Sequence, residues 1–326
     1  MHSHKWSILI ALGAAALGSR PALATEPGGQ SALAKPGILI GASAGVPPPG
    51  LYMFDQVFTY QAKIAGPATS GLGAPHVSVD VNATGLLFVP GWSFLGATYD
   101  AVIVQPLVAS SISNPINAQA VGVYNTYFVP VELSWKLGDS GFAVKTGLGI
   151  WSPTGNISGP AGLSNVTLPY WTFQPELILS YLKDGWNLSA AIYEEFHTAN
   201  SVTGYRTGDV LHADFTATKT IGKWTIGPVA YYVGQVSNDQ SSAFYGNALG
   251  TQRYDVWAVG GLVGYDFGSV SLNVWATQEI SARASGATVG AFDPSSITRG
   301  FTALASINFR LWSPEEAPAK RPNFLK

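Results

Sequence analysis

The most regular pattern of hydrophobic and polar residues lies between Tyr170 and Thr198. In residues 171–181, apolar side chains alternate with Thr172, Gln174, Glu176, Ile178 and Ser180, and residues 186–197 repeat the alternation. A period of two residues is that of a β-strand with one apolar and one mainly polar face. Between the two runs, Lys183-Asp184-Gly185 contains the Gly that a tight reversal needs. The segment therefore predicts a β-hairpin.

The apolar face of this hairpin is graded, with aromatic residues at its ends and small aliphatic residues in its middle. In a membrane-spanning β-sheet, Trp and Tyr concentrate at the two membrane interfaces. A soluble hairpin has no reason to be graded in this way. We therefore expect the hairpin to cross a membrane.

Similar alternation recurs along the chain and predicts an all-β fold, a transmembrane antiparallel β-barrel of about twelve strands in an up-and-down meander. The other strands are predicted at 51–63, 76–90, 92–108, 124–137, 142–151, 209–220, 224–237, 254–267, 270–282 and 301–312. Residues 254–267 are apolar on both faces, so the pattern leaves their register open.

The connections between these strands alternate between short and long. Short turns are expected near Pro90, Asp139, Asp184, Gly222 and Gly268. Longer polar loops are expected at 66–75, 110–120, 152–169, 199–208, 238–251 and 283–297. Short periplasmic turns and longer outer loops are typical of bacterial outer-membrane barrels, which places both ends of the barrel in the periplasm.

Composition supports a membrane protein and excludes several other classes. Charged residues make up 11% of the chain, against about 25% in soluble domains. After the first two dozen residues, no stretch is apolar enough for a spanning helix, which leaves a closed barrel. The absence of Cys excludes disulfides, thiol chemistry and Cys-based metal sites. The net charge of −2 gives no sign of nucleic-acid binding.

The chain divides into four predicted parts. Residues 1–24 have the charged start, the apolar run and the Ala22-Leu23-Ala24 cleavage pattern of a signal peptide. Residues 25–49, rich in Gly, Ala and Pro, are expected to be a periplasmic lead-in. The barrel is expected to span 50–312, followed by a C-terminal tail at 313–326. This organisation places the mature protein in the bacterial cell outer membrane.

Several motifs resemble those of the outer-membrane proteins grouped as transporters of the meta-pathway of phenol degradation, a family whose relatives include sphingosine-responsive outer-membrane proteins. The matching segments are Pro48-Pro49-Gly50-Leu51-Tyr52, Thr146-Gly147-Leu148-Gly149, Pro153-Thr154-Gly155, Tyr170-Trp171-Thr172-Phe173-Gln174-Pro175, Gly185-Trp186-Asn187-Leu188-Ser189, Tyr205 with Thr207-Gly208-Asp209, and His212 with Asp214. The resemblance covers most of the mature chain. It implies the barrel and brings no catalytic residue or cofactor.

Polar residues on the predicted inward phase are the candidates for lining or selectivity in the lumen. They are Glu132, Lys145, Glu176, Glu195, His197, His212, Asp214 and Arg310, with Asp80 and Asp100 on the same phase. Unpaired charges are costly at low dielectric, so Lys145 is expected to pair with Glu132, the favoured partner, or with Glu176. No metal or cofactor site is expected.

Three functions remain open from the sequence. The leading one is a monomeric channel or facilitator for small hydrophobic or aromatic molecules, through a lumen that is narrow or partly plugged because the barrel has about twelve strands. The second is a non-transporting envelope barrel that binds a ligand at its outer loops or braces the envelope. The third is an outer-membrane hydrolase using Ser189, His197 and Glu195, although no nucleophile elbow is present.

Overall fold

The computed structural model describes residues 26, 32–66, 69, 74–113, 117–157, 166–247, 253–285 and 295–314. The predicted signal peptide, its cleavage site and most of the predicted C-terminal tail lie outside these ranges. No helix in the described part of the chain is long and apolar enough to cross a membrane.

The described residues form strands joined by turns and loops, with one short 3-10 turn at Ala243–Tyr245. The strands are β1 (Gly50–Ala65), β2 (His76–Val89), β3 (Ser93–Phe94), β4 (Ala97–Ser113), β5 (Ala118–Val123), β6 (Thr126–Lys136), β7 (Phe142–Ser152), β8 (Thr172–Tyr181), β9 (Trp186–His197), β10 (Val210–Ile221), β11 (Trp224–Gln235), β12 (Arg253–Asp266), β13 (Val270–Ser285) and β14 (Ile297–Trp312).

Twelve of these strands form a closed antiparallel barrel, which confirms the predicted fold class. Each wall strand pairs with its neighbours in the chain, and β1 pairs with β14 to close the ring. The remaining two are short, and both pair with β4. The prediction of a loop at 110–120 was wrong, because β4 continues to Ser113 and β5 begins at Ala118. Their paired backbones satisfy each other's hydrogen bonds there.

The hairpin that the sequence marks most strongly is β8 and β9. Its turn has Asp184 at φ 53 and Gly185 at φ 77, the left-handed geometry of a tight hairpin. Leu177, Leu179 and Leu188 are exposed on the outer face, whereas most polar residues of both strands are buried on the lumen side, namely Thr172, Gln174, Glu176, Ser180, Ser189, Glu195 and His197. Both predicted faces are therefore confirmed.

Exposed aromatic residues form two bands on the outside of the barrel. One band lies near the short turns and includes Trp92, Phe94, Phe142, Trp186, Trp224, Phe267 and Trp312. The other lies toward the longer loops and includes Trp171, Phe173, Phe196, Trp257 and Phe301. Exposed aliphatic residues such as Leu177 and Val259 lie between them. This is the apolar belt with aromatic girdles that a barrel presents to an outer membrane.

The wall formed by β1, β2 and β4 is apolar on its lumen side. Val81 and Val108 are buried there, and Phe58 packs beside them. The outer side carries Asp55, whose carboxylate accepts hydrogen bonds from Asn82 and Thr84. Asp80 shares that outer phase and is exposed, so its predicted inward placement was wrong. Alternation separates two faces of a strand but does not say which one meets the lumen.

Residues 32–46 lie inside the barrel, which corrects their predicted placement in a periplasmic lead-in. The segment runs from Leu33, bonded to Glu195 near the long loops, to Ala44, bonded to Ser180 near the short turns. Its backbone N–H groups form hydrogen bonds with the polar lumen face of the barrel. In a chain free in the periplasm, the same groups would bond to water. The strand number predicted a lumen that is narrow or partly plugged, and residues 32–46 occupy part of the lumen. We call residues 32–46 the lumen segment.

Candidate functional site: the filled lumen

The outer half of the lumen segment is bound by one carboxylate. Oε2 and Oε1 of Glu195 accept hydrogen bonds from the backbone N–H groups of Leu33 and Ala34, at 2.9 and 2.8 Å. Glu195 is fully buried. Hydrogen bonds to an ionised acceptor are about twice as strong as neutral ones. Glu195, predicted as a lumen candidate, therefore anchors the segment.

A second carboxylate repeats this arrangement deeper in the barrel. Asp214 accepts the N–H groups of Gly37 and Leu39 at 3.0 and 2.9 Å. Neutral side chains continue the contact, since Thr216 accepts the N–H of Gly41 at 2.8 Å. The polar faces of β8, β9 and β10 together form a binding surface for the backbone of the segment.

The lumen segment also contributes a half-buried cation, Lys35. Its Nζ lies 4.5 Å from the ring centroid of Tyr60 and 4.9 Å from that of Tyr231. Both phenol groups donate hydrogen bonds to Glu279, at 2.9 and 2.7 Å. A cation over two aromatic faces, with a carboxylate behind them, ties the segment to β1, β11 and β13.

A cavity of about 570 Å³ lies between the lumen segment and the opposite wall. That wall is the apolar lumen face of β1, β2 and β4, continued by aromatic residues of β6 and β7. Its lining includes Phe54, Phe58, Val79, Val81, Val104, Val108, Tyr124, Tyr127, Val129 and Trp151. The lumen thus has a polar side that holds the segment and a largely apolar side that is open to a small molecule, and Glu132, Lys145 and Glu176 also line the cavity.

A row of acidic residues crosses four adjacent strands near the periplasmic half of the cavity. The pairing register sets Asp100 opposite Glu132, Glu132 opposite Gly147, and Gly147 opposite Glu176. Gly147 makes this row possible, because an added Cβ would lie 2.8 Å from Oε1 of Glu176 and 3.2 Å from the carbonyl oxygen of Val131.

Lys145 compensates part of this negative charge. Its Nζ lies 3.1 Å from Oδ2 of Asp100 and 3.3 Å from Oε2 of Glu132, and all three side chains are at least nine-tenths buried. The predicted pairing of Lys145 with Glu132 is confirmed. Asp100 is a further partner that the sequence analysis did not assign. Oε1 of Glu176 has no hydrogen-bond partner among the described residues.

The two histidine candidates surround Glu195. Nε2 of His212 lies 3.4 Å from Oε1 of Glu195, and Nε2 of His197 lies 3.8 Å from its Oε2. The His212 ring also stacks on Tyr193, with 4.5 Å between the centroids. Arg310 is on the lumen-facing phase of β14, but it is exposed near the end of the strand.

The residues named for the hydrolase alternative are not brought together. Ser189 is eight positions from His197 on one strand, a separation of about 27 Å at the usual rise per residue. Its Oγ bonds to Ser180 at 2.7 Å and to Asn187. Nδ1 of His197 bonds to Thr172 at 2.8 Å. Glu195 and His197 approach each other, but the proposed nucleophile is elsewhere.

A separate polar cluster ties the outer loops together. Asp239 accepts hydrogen bonds from the hydroxyl of Tyr205 and the N–H of Gly208, at 2.5 and 2.7 Å. Burial raises the pKa of Asp239 to about 6, although these hydrogen bonds lower it. Nearby, Glu26 accepts hydrogen bonds from Asn200 and Tyr245 at 2.6 and 2.9 Å. Glu26, which precedes the lumen segment in the chain, is therefore bound at the outer end.

Lys35, Glu279 and the lumen segment itself were missed from the sequence. Lys35 is the one cation among residues 25–49, which was a usable signal. Glu279 follows Trp275 and Thr277 on alternate positions, so it could have been placed on one face with them. The hydrogen bonds that hold the segment to β8, β9 and β10 come from its backbone N–H groups, which leave no side-chain pattern to recognise.

A closed barrel of twelve antiparallel strands, with aromatic girdles outside and a polar surface inside that binds the lumen segment, defines an outer-membrane β-barrel protein. A family model described as "Putative MetA-pathway of phenol degradation" matches residues 59–292. The chain belongs to this family, and the resemblance noted from its motifs is confirmed.

Among solved structures, the chain is similar to an outer-membrane channel from Pseudomonas putida F1. The TM-score is 0.65 at 11% identity, over 85% of this chain and 99% of that one. The translocator domain of the autotransporter NalP from Neisseria meningitidis gives a TM-score of 0.46 at 12% identity, over 81% of this chain and 89% of that one. At 11% identity the first match shows the fold alone. The TM-score of the second is too low to support a conclusion about this chain. No curated protein matches the sequence.

Proposed function

We propose that the protein is an outer-membrane channel or facilitator through which small apolar molecules, aromatic ones among them, cross the barrel. The observation that carries this proposal is the cavity of about 570 Å³ with an apolar wall inside a membrane barrel. Open porin-type barrels have polar, water-filled interiors. An apolar lumen wall instead favours solutes that gain free energy by leaving water.

The energetics follow from the lining. Removing apolar surface from water is favourable by about 25 cal/mol per Å², so an aromatic molecule partitions into the cavity without specific polar contacts. A strongly polar solute would lose its hydration and find few partners beside Val81, Val104 and Val108. Membership in a family named for phenol degradation is consistent with such solutes. The proposal assigns the protein no catalytic step.

One chain is the proposed working unit, because the whole cavity is enclosed by a single barrel. The surrounding lipid bilayer is its partner, through the apolar belt on its outer face.

The proposal is tested by uptake of radiolabelled naphthalene into Gram-negative cells that lack the gene, with and without the protein. We expect faster uptake with the protein, and a severalfold reduction in the double variant Val81→Thr with Val104→Thr. These changes keep side-chain shape and add hydroxyl groups to the cavity lining. The matched control is Val57→Thr on the outer face, which should leave uptake unchanged.

Two outcomes would contradict the proposal. One is uptake that does not depend on the protein, and the other is equal uptake by the cavity variant and the wild type. The first result would favour the alternative of a non-transporting envelope barrel.

A further inference from the structure

The lumen segment has two different sides. Its backbone N–H groups point to the polar faces of β8, β9 and β10. Ile38 and Leu39 both line the cavity, and Leu39 packs against the apolar cluster that contains Val81 and Val108 on the opposite wall. A segment that merely blocked the barrel would have no need of an apolar side turned to the remaining space.

We propose that the lumen segment is a permanent wall of the transport cavity, that small apolar molecules pass beside it without displacing it, and that Leu39 sets the width of their path. This inference rests on the proposed function and adds to it the element that determines which molecules fit. It makes the segment a determinant of specificity.

The hydrogen bonds of the segment support a fixed position. Departure of the segment would leave the carboxylates of Glu195 and Asp214 buried with four backbone donors removed from them. Near the periplasmic end, the N–H of Ala44 bonds to Ser180 at 2.8 Å, and its carbonyl oxygen accepts from Ser134 at 2.6 Å. Buried polar groups that lose their partners are strongly unfavourable.

The space beside the segment makes its departure unnecessary. Much of the cavity lies against β1, β2, β4 and β6, and Gln174 and Glu176 of β8 also line it. The N–H groups of the lumen segment are bonded to β8, β9 and β10. The cavity volume of about 570 Å³ falls within the range of about 300–1,000 Å³ that small-molecule sites occupy. A small apolar molecule is therefore accommodated with the segment in place.

Leu39 is placed to control the width of this space. Its side chain packs between the cluster that contains Val81 and Tyr193 and the smaller cluster that contains Ile178 and Ala191. Its backbone N–H is held by Asp214 at 2.9 Å. A larger side chain at this position would extend into the cavity from a fixed backbone, so it should exclude larger molecules first.

The absence of Cys from the chain allows a direct test. Ala44→Cys with Ser180→Cys introduces one thiol pair across the contact between segment and wall, and Ala44→Cys with Ser134→Cys is a second pair in case the first fails to assemble. Uptake of radiolabelled naphthalene is measured for each oxidised pair, before and after reduction. Mass spectrometry establishes that the disulfide has formed.

We expect each oxidised pair to take up naphthalene within about twofold of the wild type, with no change on reduction. Leu39→Trp should lower naphthalene uptake more than benzene uptake, in the free and the cross-linked protein alike. Leu177→Ala on the outer face is the matched control and should change neither.

Loss of uptake on oxidation, restored by reduction, would overturn the fixed wall while leaving the proposed transport intact. If Leu39→Trp reduced naphthalene uptake and benzene uptake by the same factor relative to the wild type, the role of Leu39 would be overturned. Uptake that does not depend on the wild-type protein would instead remove the proposed function, and with it this inference.

Discussion

Replacing Lys145 with Met tests the buried charge cluster, because Met keeps an unbranched side chain of similar length and removes the cation. The Nζ of Lys145 is 3.1 Å from Asp100 and 3.3 Å from Glu132. At an effective dielectric constant of about 20, each contact corresponds to about 5 kcal/mol of Coulomb attraction. Desolvation offsets much of this attraction. Removing one partner of a buried ion pair costs about 3–5 kcal/mol in total, and we expect Lys145→Met to destabilise the barrel by this amount.

The free energy of unfolding is measured by urea titration of the detergent-solubilised barrel, with Trp fluorescence as the signal. The control is Lys145→Met combined with Asp100→Asn and Glu132→Gln, which removes the compensated charges together and should recover most of the lost stability. If the barrel conducts ions, reversal potentials in a salt gradient should shift toward cation selectivity in the single variant. A single variant as stable as the wild type, with unchanged reversal potential, would refute the reasoning.

Three further predictions concern other parts of the molecule. Leu177→Arg places a charge in the apolar belt and should cost about 2–4 kcal/mol of unfolding free energy, whereas Leu95→Arg at the exposed rim should cost about 0–1; equal costs would refute the assigned depths. Glu195→Gln weakens the hydrogen bonds that anchor the lumen segment and should increase single-channel conductance. The control Glu194→Gln, which faces outward, should leave conductance unchanged. Unchanged conductance in Glu195→Gln would contradict the prediction. Asp239 has a folded-state pKa raised to about 6, so its contribution to stability is present at low pH and is lost as the pH rises through that value. Protease resistance of the outer loops should fall as the pH rises through about 6 in the wild type, and Asp239→Asn should abolish this change.

The wall of the barrel could be predicted largely from local pattern. In β8 and β9, one residue in two faces lipid, so Leu177 and Leu179 separate cleanly from Gln174 and Glu176. The pairing of Lys145 with Glu132 followed from the same alternation on adjacent strands. The involvement of Asp100 was harder to see, because a register shift lies between Asp100 and Val102.

The interior could be predicted only in part. Asp80 was placed inward because polar residues usually face the lumen of such barrels, but β2 turns its valines to an apolar cavity instead. The lumen segment has neither strand nor helix periodicity. Its position depends on contacts such as that between Gly37 and Asp214, 177 residues apart, which no local window of sequence contains.

The position of the lumen segment directly before β1 has a consequence for how the molecule assembles. β1 can form its second row of backbone pairs only with β14, the last strand in the chain. The segment joined to it must reach partners as distant as Trp275, whose Nε1 donates to the carbonyl oxygen of Gly37 across 238 residues. Contacts of such long sequence separation carry a high loop-closure entropy and form slowly. The β1–β14 pairs and the contacts of the lumen segment belong to one continuous stretch of chain. Closure of the barrel and filling of its lumen therefore become a single late step of folding.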